Sequence, residues 1–305
     1  MKKYDITFET VSVTAGNARY QPAPKEITAL VTEPDSINQN TGAMLFTHGW
    51  DCNRFQDQKL MEYAADAYNV VGVSAEYRQS GYDFNPRTGK GFAAPYDLSF
   101  YQTFDSAGAL RQILAVKANL NRQRIFAYGL SQGGQITLLL AIFAPGTFAF
   151  VNAVAPSTRV LAEHQRLAGR EFSADELSVR DVIAHADLIQ CPVYLEHGTA
   201  DAALPHTEHT VVLENRLKTL GKTHTVVYHT GAGHNLTPGL GRLQAFQNTV
   251  GDKIGRMLRP GKDDFLTGSV VRIPCAQKTL VIDWHQPQTS PDLFHWESAV
   301  TPDRA

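Results

Sequence analysis

From Ala43 to about Arg259 the chain alternates short apolar runs of strand character with longer stretches of helical periodicity. No other feature narrows the fold as much. Strands separated by helix-length segments pair in parallel, and the helices cover both faces of the sheet. Ala43–Thr47, Val70–Glu76, Arg124–Gly129, Phe148–Ala155, Val193–His197 and His224–Tyr228 read as strands. Leu98–Leu120, Gly133–Phe143, Thr207–Leu220 and Leu240–Met257 read as helices. Before them, Asp5–Thr14 and Glu26–Thr32 alternate polar and apolar residues, which predicts antiparallel strands at one edge.

The sharpest motif inside this rhythm is Gly129-Leu130-Ser131-Gln132-Gly133, with Gly134 next. It falls between a strand and a helix, the setting of a nucleophile elbow. Such a turn holds its serine in a strained conformation with the hydroxyl exposed. Side chains two residues either way would collide with the flanking elements, hence the glycines. The helix N-terminus beneath favours developing negative charge. Ser131 is the candidate nucleophile.

A serine needs a base, and the base needs an orienting acid. In a fold of this kind the order is Ser, then Asp or Glu, then His. Asp201 follows the strand Val193–His197, and His234 lies in the Gly-rich loop after the last strand. In these roles His234 takes the Ser131 proton and returns it to the leaving group, while Asp201 fixes the His234 tautomer. The other candidates fit less well. His197 precedes the acid loop, His229 ends a strand, and His206 and His209 have the spacing of a solvated helix face. Glu196 lies within its strand and Asp187 precedes it. An oxyanion hole needs two N–H donors. The expected pair is the amide of Gln132 and that of Trp50, in the loop Phe46-Thr47-His48-Gly49-Trp50; His48 is expected to brace that loop.

Together these residues resemble the α/β-hydrolase superfamily over about Ala43 to Arg259, with Ser131, Asp201 and His234 as the triad. Within it, Glu76-Tyr77-Arg78-Gln79-Ser80-Gly81-Tyr82, Asp105, Cys191-Pro192 and His197-Gly198-Thr199-Ala200-Asp201 resemble the catalytic domain of prolyl-oligopeptidase-type serine peptidases. The elbow also resembles that of stand-alone serine carboxylesterases and acyl-protein thioesterases. Prolyl-oligopeptidase-type enzymes usually carry a propeller before this domain, and fewer than 50 residues precede the oxyanion loop here. The resemblance therefore implies a carboxylesterase working through an acyl-enzyme. A peptidase of the same type without a propeller is the alternative. A non-catalytic binding protein of the same fold is the alternative of another class.

Two regions are expected to set specificity. One is the aromatic loop Ser80–Tyr96, whose Tyr82, Phe84, Phe92 and Tyr96 are candidate substrate contacts. The other is the charged, helix-permissive stretch from Thr158 to Gln190, where this superfamily inserts a cap. The expected organisation is one catalytic domain over residues 1–259, with the cap inside it, and an extension over 260–305. In the extension, Ser269–Ile273 and Thr279–Trp284 read as a hairpin packed on the core or at a homodimer contact.

Composition excludes several partners. Lys+Arg 28 against Asp+Glu 30 leaves a net charge of −2 and no basic block, so neither nucleic acid nor an anionic membrane is expected as a partner. Three scattered cysteines, Cys52, Cys191 and Cys275, fit a reducing compartment and no disulfide framework. With no leader-like apolar segment, a cytoplasmic protein is expected. No metal-ligand spacing or dinucleotide fingerprint occurs, so no cofactor is expected. Gly221-Lys222-Thr223 lacks the earlier glycine of a phosphate loop, and the sequon at Asn235 has no secretory context. The expected partner is a small ester.

Overall fold

The computed structural model describes residues 1–11, 25–81, 84–85, 90–91 and 96–298. Its strands are β1 (Lys2–Thr10), β2 (Lys25–Glu33), β3 (Gly42–Thr47), β4 (Val70–Ala75), β5 (Phe84–Asn85), β6 (Lys90–Gly91), β7 (Ile125–Leu130), β8 (Phe150–Val154), β9 (Val193–Gly198), β10 (His224–His229), β11 (Val270–Pro274), β12 (Lys278–Asp283) and β13 (Phe294–Ser298). The main helices are α1 (Gln58–Tyr68), α2 (Phe100–Val116), α3 (Gln132–Phe143), α4 (Ala162–Ala168), α5 (Ala174–Val179), α6 (Thr210–Thr219) and α7 (Gly241–Phe246).

Eight strands form one sheet in the order β1-β2-β4-β3-β7-β8-β9-β10. β1 and β2 pair antiparallel, and β2 meets β4 antiparallel. Every pairing from β4 to β10 is parallel. This is the α/β-hydrolase fold. The central strands VVGVSA, IFAYGL and FVNAV are buried throughout, as strands covered on both faces must be. The edge strand β1 keeps the polar–apolar alternation of a half-covered strand.

The two-residue period of the strands divides the core in two. Leu45, Val71, Val73, Ala127, Val151, Ala153 and Leu195 pack with α2, α3 and α6 on one face. Met44, Phe46, Phe126, Tyr128, Phe150 and Tyr194 pack with α1 and α7 on the other. Helix α1 has no counterpart in the sequence reading, which left 51–69 unassigned. Its buried Leu60, Met61, Ala64 and Ala65 make a narrow stripe, two of them too small to stand out.

The extension forms a three-stranded antiparallel sheet, β11-β12-β13, one strand more than the predicted hairpin. It packs on α2 and α3. Trp284 is buried and its indole N–H donates to the Phe143 carbonyl at 2.8 Å. Phe294 stacks on Phe104 at 4.6 Å between ring centroids. No helix among the described residues is long and apolar enough to cross a membrane.

Candidate active site

Ser131 lies between the end of β7 and the start of α3, at φ 62° and ψ −121°. A non-glycine residue at positive φ outside the left-handed helical well is strained, and the surroundings over-determine this one. A Cβ on Gly129 would lie 2.3 Å from both the Gly133 carbonyl oxygen and Thr47 Oγ1. A Cβ on Gly133 would lie 2.0 Å from the Thr47 carbonyl oxygen. The glycines therefore make room for the end of the neighbouring strand β3 as well as for the helix.

That close approach brings the loop after β3 to the serine. A Cβ on Gly49 would sit 3.5 Å from Ser131 Cβ. The amides of Trp50 and Gln132 make no hydrogen bond to another described residue. Gln132 is the first residue of its helix, where the N–H groups have no intrahelical partner. His48 is buried and stacks on Tyr77 at 4.0 Å, and the Tyr77 hydroxyl donates to the His48 carbonyl at 2.9 Å. Its ring braces the loop.

The acid and base meet at the ends of β9 and β10. His234 Nδ1 donates to Asp201 Oδ2 at 2.7 Å. The amides of Ala203 and Leu204 donate to Oδ1 at 2.9 and 3.0 Å. Burial alone would raise the Asp201 carboxyl, yet the bonds from His197 and His234 hold it well below the usual carboxylate range. With Nδ1 engaged, His234 presents Nε2 for proton transfer. The Ser131 hydroxyl makes no hydrogen bond among the described residues. Serine–histidine contacts of this kind often tighten only around substrate.

Ser131 opens on a cavity of about 180 Å³. Trp50, Leu98, Val160 and Leu204 form its apolar walls, and Gln132, Gln135, Ser157 and His164 its polar points. Val160 and His164 belong to the stretch predicted as a cap, which carries α4 and α5. Burial pushes the His164 imidazole below its ordinary range, so the lining formed by the described residues is uncharged at neutral pH.

The aromatic loop is only partly described. Tyr82 and Phe92 lie outside the described residues, as does the side chain of Phe84. Tyr96 is buried, stacks on Trp50 at 4.6 Å and donates its hydroxyl to Gln132 Oε1 at 2.9 Å. It stands behind the Trp50 wall rather than on the cavity surface.

Sequence reading missed the polar net behind these residues. Gln132 Nε2 donates to Gln102 Oε1 at 2.6 Å, and Ser99 Oγ donates to Gln135 Oε1 at 2.8 Å. Gln135 Nε2 reaches the Arg180 carbonyl at 2.9 Å, tying α3 to the end of α5. Arg78 and Asp105, part of the quoted resemblance, form a buried bidentate pair at 2.7 and 2.8 Å. His209 corrects an expectation: it is fully buried, accepts from the Thr158 amide at 3.2 Å, and its imidazole is pushed down to about 4, first by burial. The helical spacing that suggested a solvated face misled because His209 precedes α6 instead of lying within it.

The model of the prolyl oligopeptidase family matches residues 98–250, which include Ser131, Asp201 and His234. The structure resembles the acylaminoacyl peptidase of Pyrococcus horikoshii, with a TM-score of 0.65 at 14% identity over 86% of this chain and 43% of that one. It also resembles dipeptidyl peptidase 4 of Porphyromonas gingivalis, with a TM-score of 0.62 at 16% identity over 83% of this chain and 35% of that one. A puromycin-hydrolyzing peptidase of Mycobacterium tuberculosis gives a TM-score of 0.56 at 19% identity over 69% of this chain and 34% of that one. The chain thus spans less than half the length of these structural relatives. No curated protein sequence matches it. With the match extending over half of its 305 residues, the chain belongs to the prolyl oligopeptidase family.

Proposed function

We propose that the protein is a serine hydrolase that cleaves a peptide or related acyl bond through an acyl-enzyme on Ser131. The observation that carries this is the strained Ser131 at the helix start, in the fold where the His234–Asp201 pair follows it in the required order. His234 removes the Ser131 proton as Oγ attacks the carbonyl. The amides of Trp50 and Gln132 receive the developing oxyanion. His234 then protonates the leaving group, and water repeats the sequence to release the acid.

Family membership favours an amide substrate over the ester expected from sequence. The uncharged lining formed by the described residues favours a neutral, largely apolar acyl side chain of modest size. Carboxylic esters remain the second reading, since the same groups acylate from either bond and the described lining holds no residue that requires an amine leaving group.

The test compares wild type with Ser131→Ala on N-blocked dipeptide p-nitroanilides and on p-nitrophenyl acetate and butyrate. Ser131→Ala should lose about 10³-fold or more in kcat, leaving only the contribution of the oxyanion hole and binding. Equal hydrolysis by both proteins, or by neither, removes the reading. Turnover of the esters alone selects the second one.

A further inference from the structure

The carboxylate that orients His234 has a second histidine on it. His197, at the end of β9, is fully buried. Its Nε2 lies 3.1 Å from Asp201 Oδ2 and 2.8 Å from the Leu204 carbonyl oxygen. Both are acceptors, so Nε2 carries a proton whatever the charge of the ring. On the opposite side Nδ1 lies 2.7 Å from Thr210 Oγ1, at the first turn of α6. The ring is thus pinned between a helix start and the acid loop, with one N–H shared by the carboxylate and the main chain of that loop.

We propose that His197 is a positioning residue, whose Nε2–H fixes Asp201 Oδ2 in line with His234 Nδ1. The inference rests on the hydrolase reading above and deepens it. Without His197 the carboxylate keeps the Ala203 and Leu204 amides on Oδ1, while Oδ2 has His234 as its one remaining partner among the described residues and is held less tightly in line with it. The loop would also lose the bond to the Leu204 carbonyl, and Leu204 walls the cavity. The His-Gly-x-x-Asp spacing has a physical reading on this account. The strand end supplies the holder, and the turn four residues on supplies the group held.

The experiment has one readout that needs no substrate. In the free protein, the strongly deshielded proton NMR signal of the His234 Nδ1–H reports its bond to Asp201. His197→Phe and His197→Leu, checked for folding by thermal melt, should move that signal upfield or abolish it. His197→Gln returns an N–H at similar reach and should restore it. Fluorophosphonate labelling of Ser131 should slow by about 10- to 100-fold in the apolar variants, by analogy with the loss when the partner behind a metal-ligating histidine is removed. It should largely recover in His197→Gln. An unchanged signal in a folded apolar variant overturns the proposal. So does failure of both apolar variants to fold, which would make His197 a stability residue. A wild type that does not label sinks the hydrolase reading, while the NMR comparison still decides the role of His197.

Discussion

Two buried aspartates near the cavity have opposite chemistry. Asp201, in the loop after β9, is held below the ordinary carboxylate range, whereas Asp97, in the loop before α2, is raised above it. Burial pushes both upward and is the largest influence on each. The difference lies in the donors. Asp201 accepts from two amides and two imidazoles. Asp97 accepts from the Gln102 amide at 3.0 Å and from Arg180 at a long 3.3 Å, with the Asp105 carboxylate nearby. Arg180 spends most of its donors elsewhere, on the carbonyls of Asp97, Leu98 and Glu176. One site is built to keep an anion. The other is built to fasten the end of α5 to the cavity wall, and its carboxylate is secondary to the carbonyls.

The strongest way to break this comparison is Asp201→Asn. An amide there should present the wrong group to His234 and lower kcat about 10⁴-fold with KM little changed. A fall of less than tenfold in steady-state turnover would show that Asp201 is not the orienting anion. Next in size is Arg180→Met, which leaves Asp97 and several carbonyls without their buried partner. Unfolding in urea should show a loss of about 3–5 kcal/mol. Adding Asp97→Asn to that variant should recover part of the loss, because it removes the unpaired charge.

The smallest effect is the most discriminating, because it concerns the sign of a slope. Asp201 has a folded pKa below its unfolded value. It therefore stabilises the fold above about pH 4, and that contribution fades as pH falls through the acid range. Asp97 has a folded pKa above its unfolded value, so its contribution is full below about pH 4 and is lost as pH rises through the folded value. Urea unfolding between about pH 6 and pH 3 should then give opposite trends. The wild type should lose its advantage over Asp201→Asn on acidification and gain on Asp97→Asn. Parallel trends would erase the distinction between the two carboxylates.

The features legible in the sequence depend on local patterning. Gly129 and Gly133 around Ser131, between an apolar strand and an apolar helix, announce the elbow because backbone crowding there admits little else. The loops of Asp201 and His234 are marked by strand ends and small residues. Helix α1 and strand β13 were not legible. The first buries mainly small side chains, and the second depends on pairing with β12. Tyr96 was legible as an aromatic near the site, but its place behind Trp50 was not.

The sequence by itself determined the fold class and the order of Ser131, Asp201 and His234 along it, because periodicity and turn composition act over a few residues. The tertiary structure decided how the groups are held. Strand order sets β3 beside β7 and β9 beside β10, which brings Thr47 to Gly133, Gly49 to Ser131 and Asp201 to His234. The Gln102–Gln132 contact, the Arg180 clasp and the hold of His197 on Asp201 join residues that no local pattern relates. Whether a buried carboxylate stays an anion depends on how many donors converge on it, and only the packed chain sets that number.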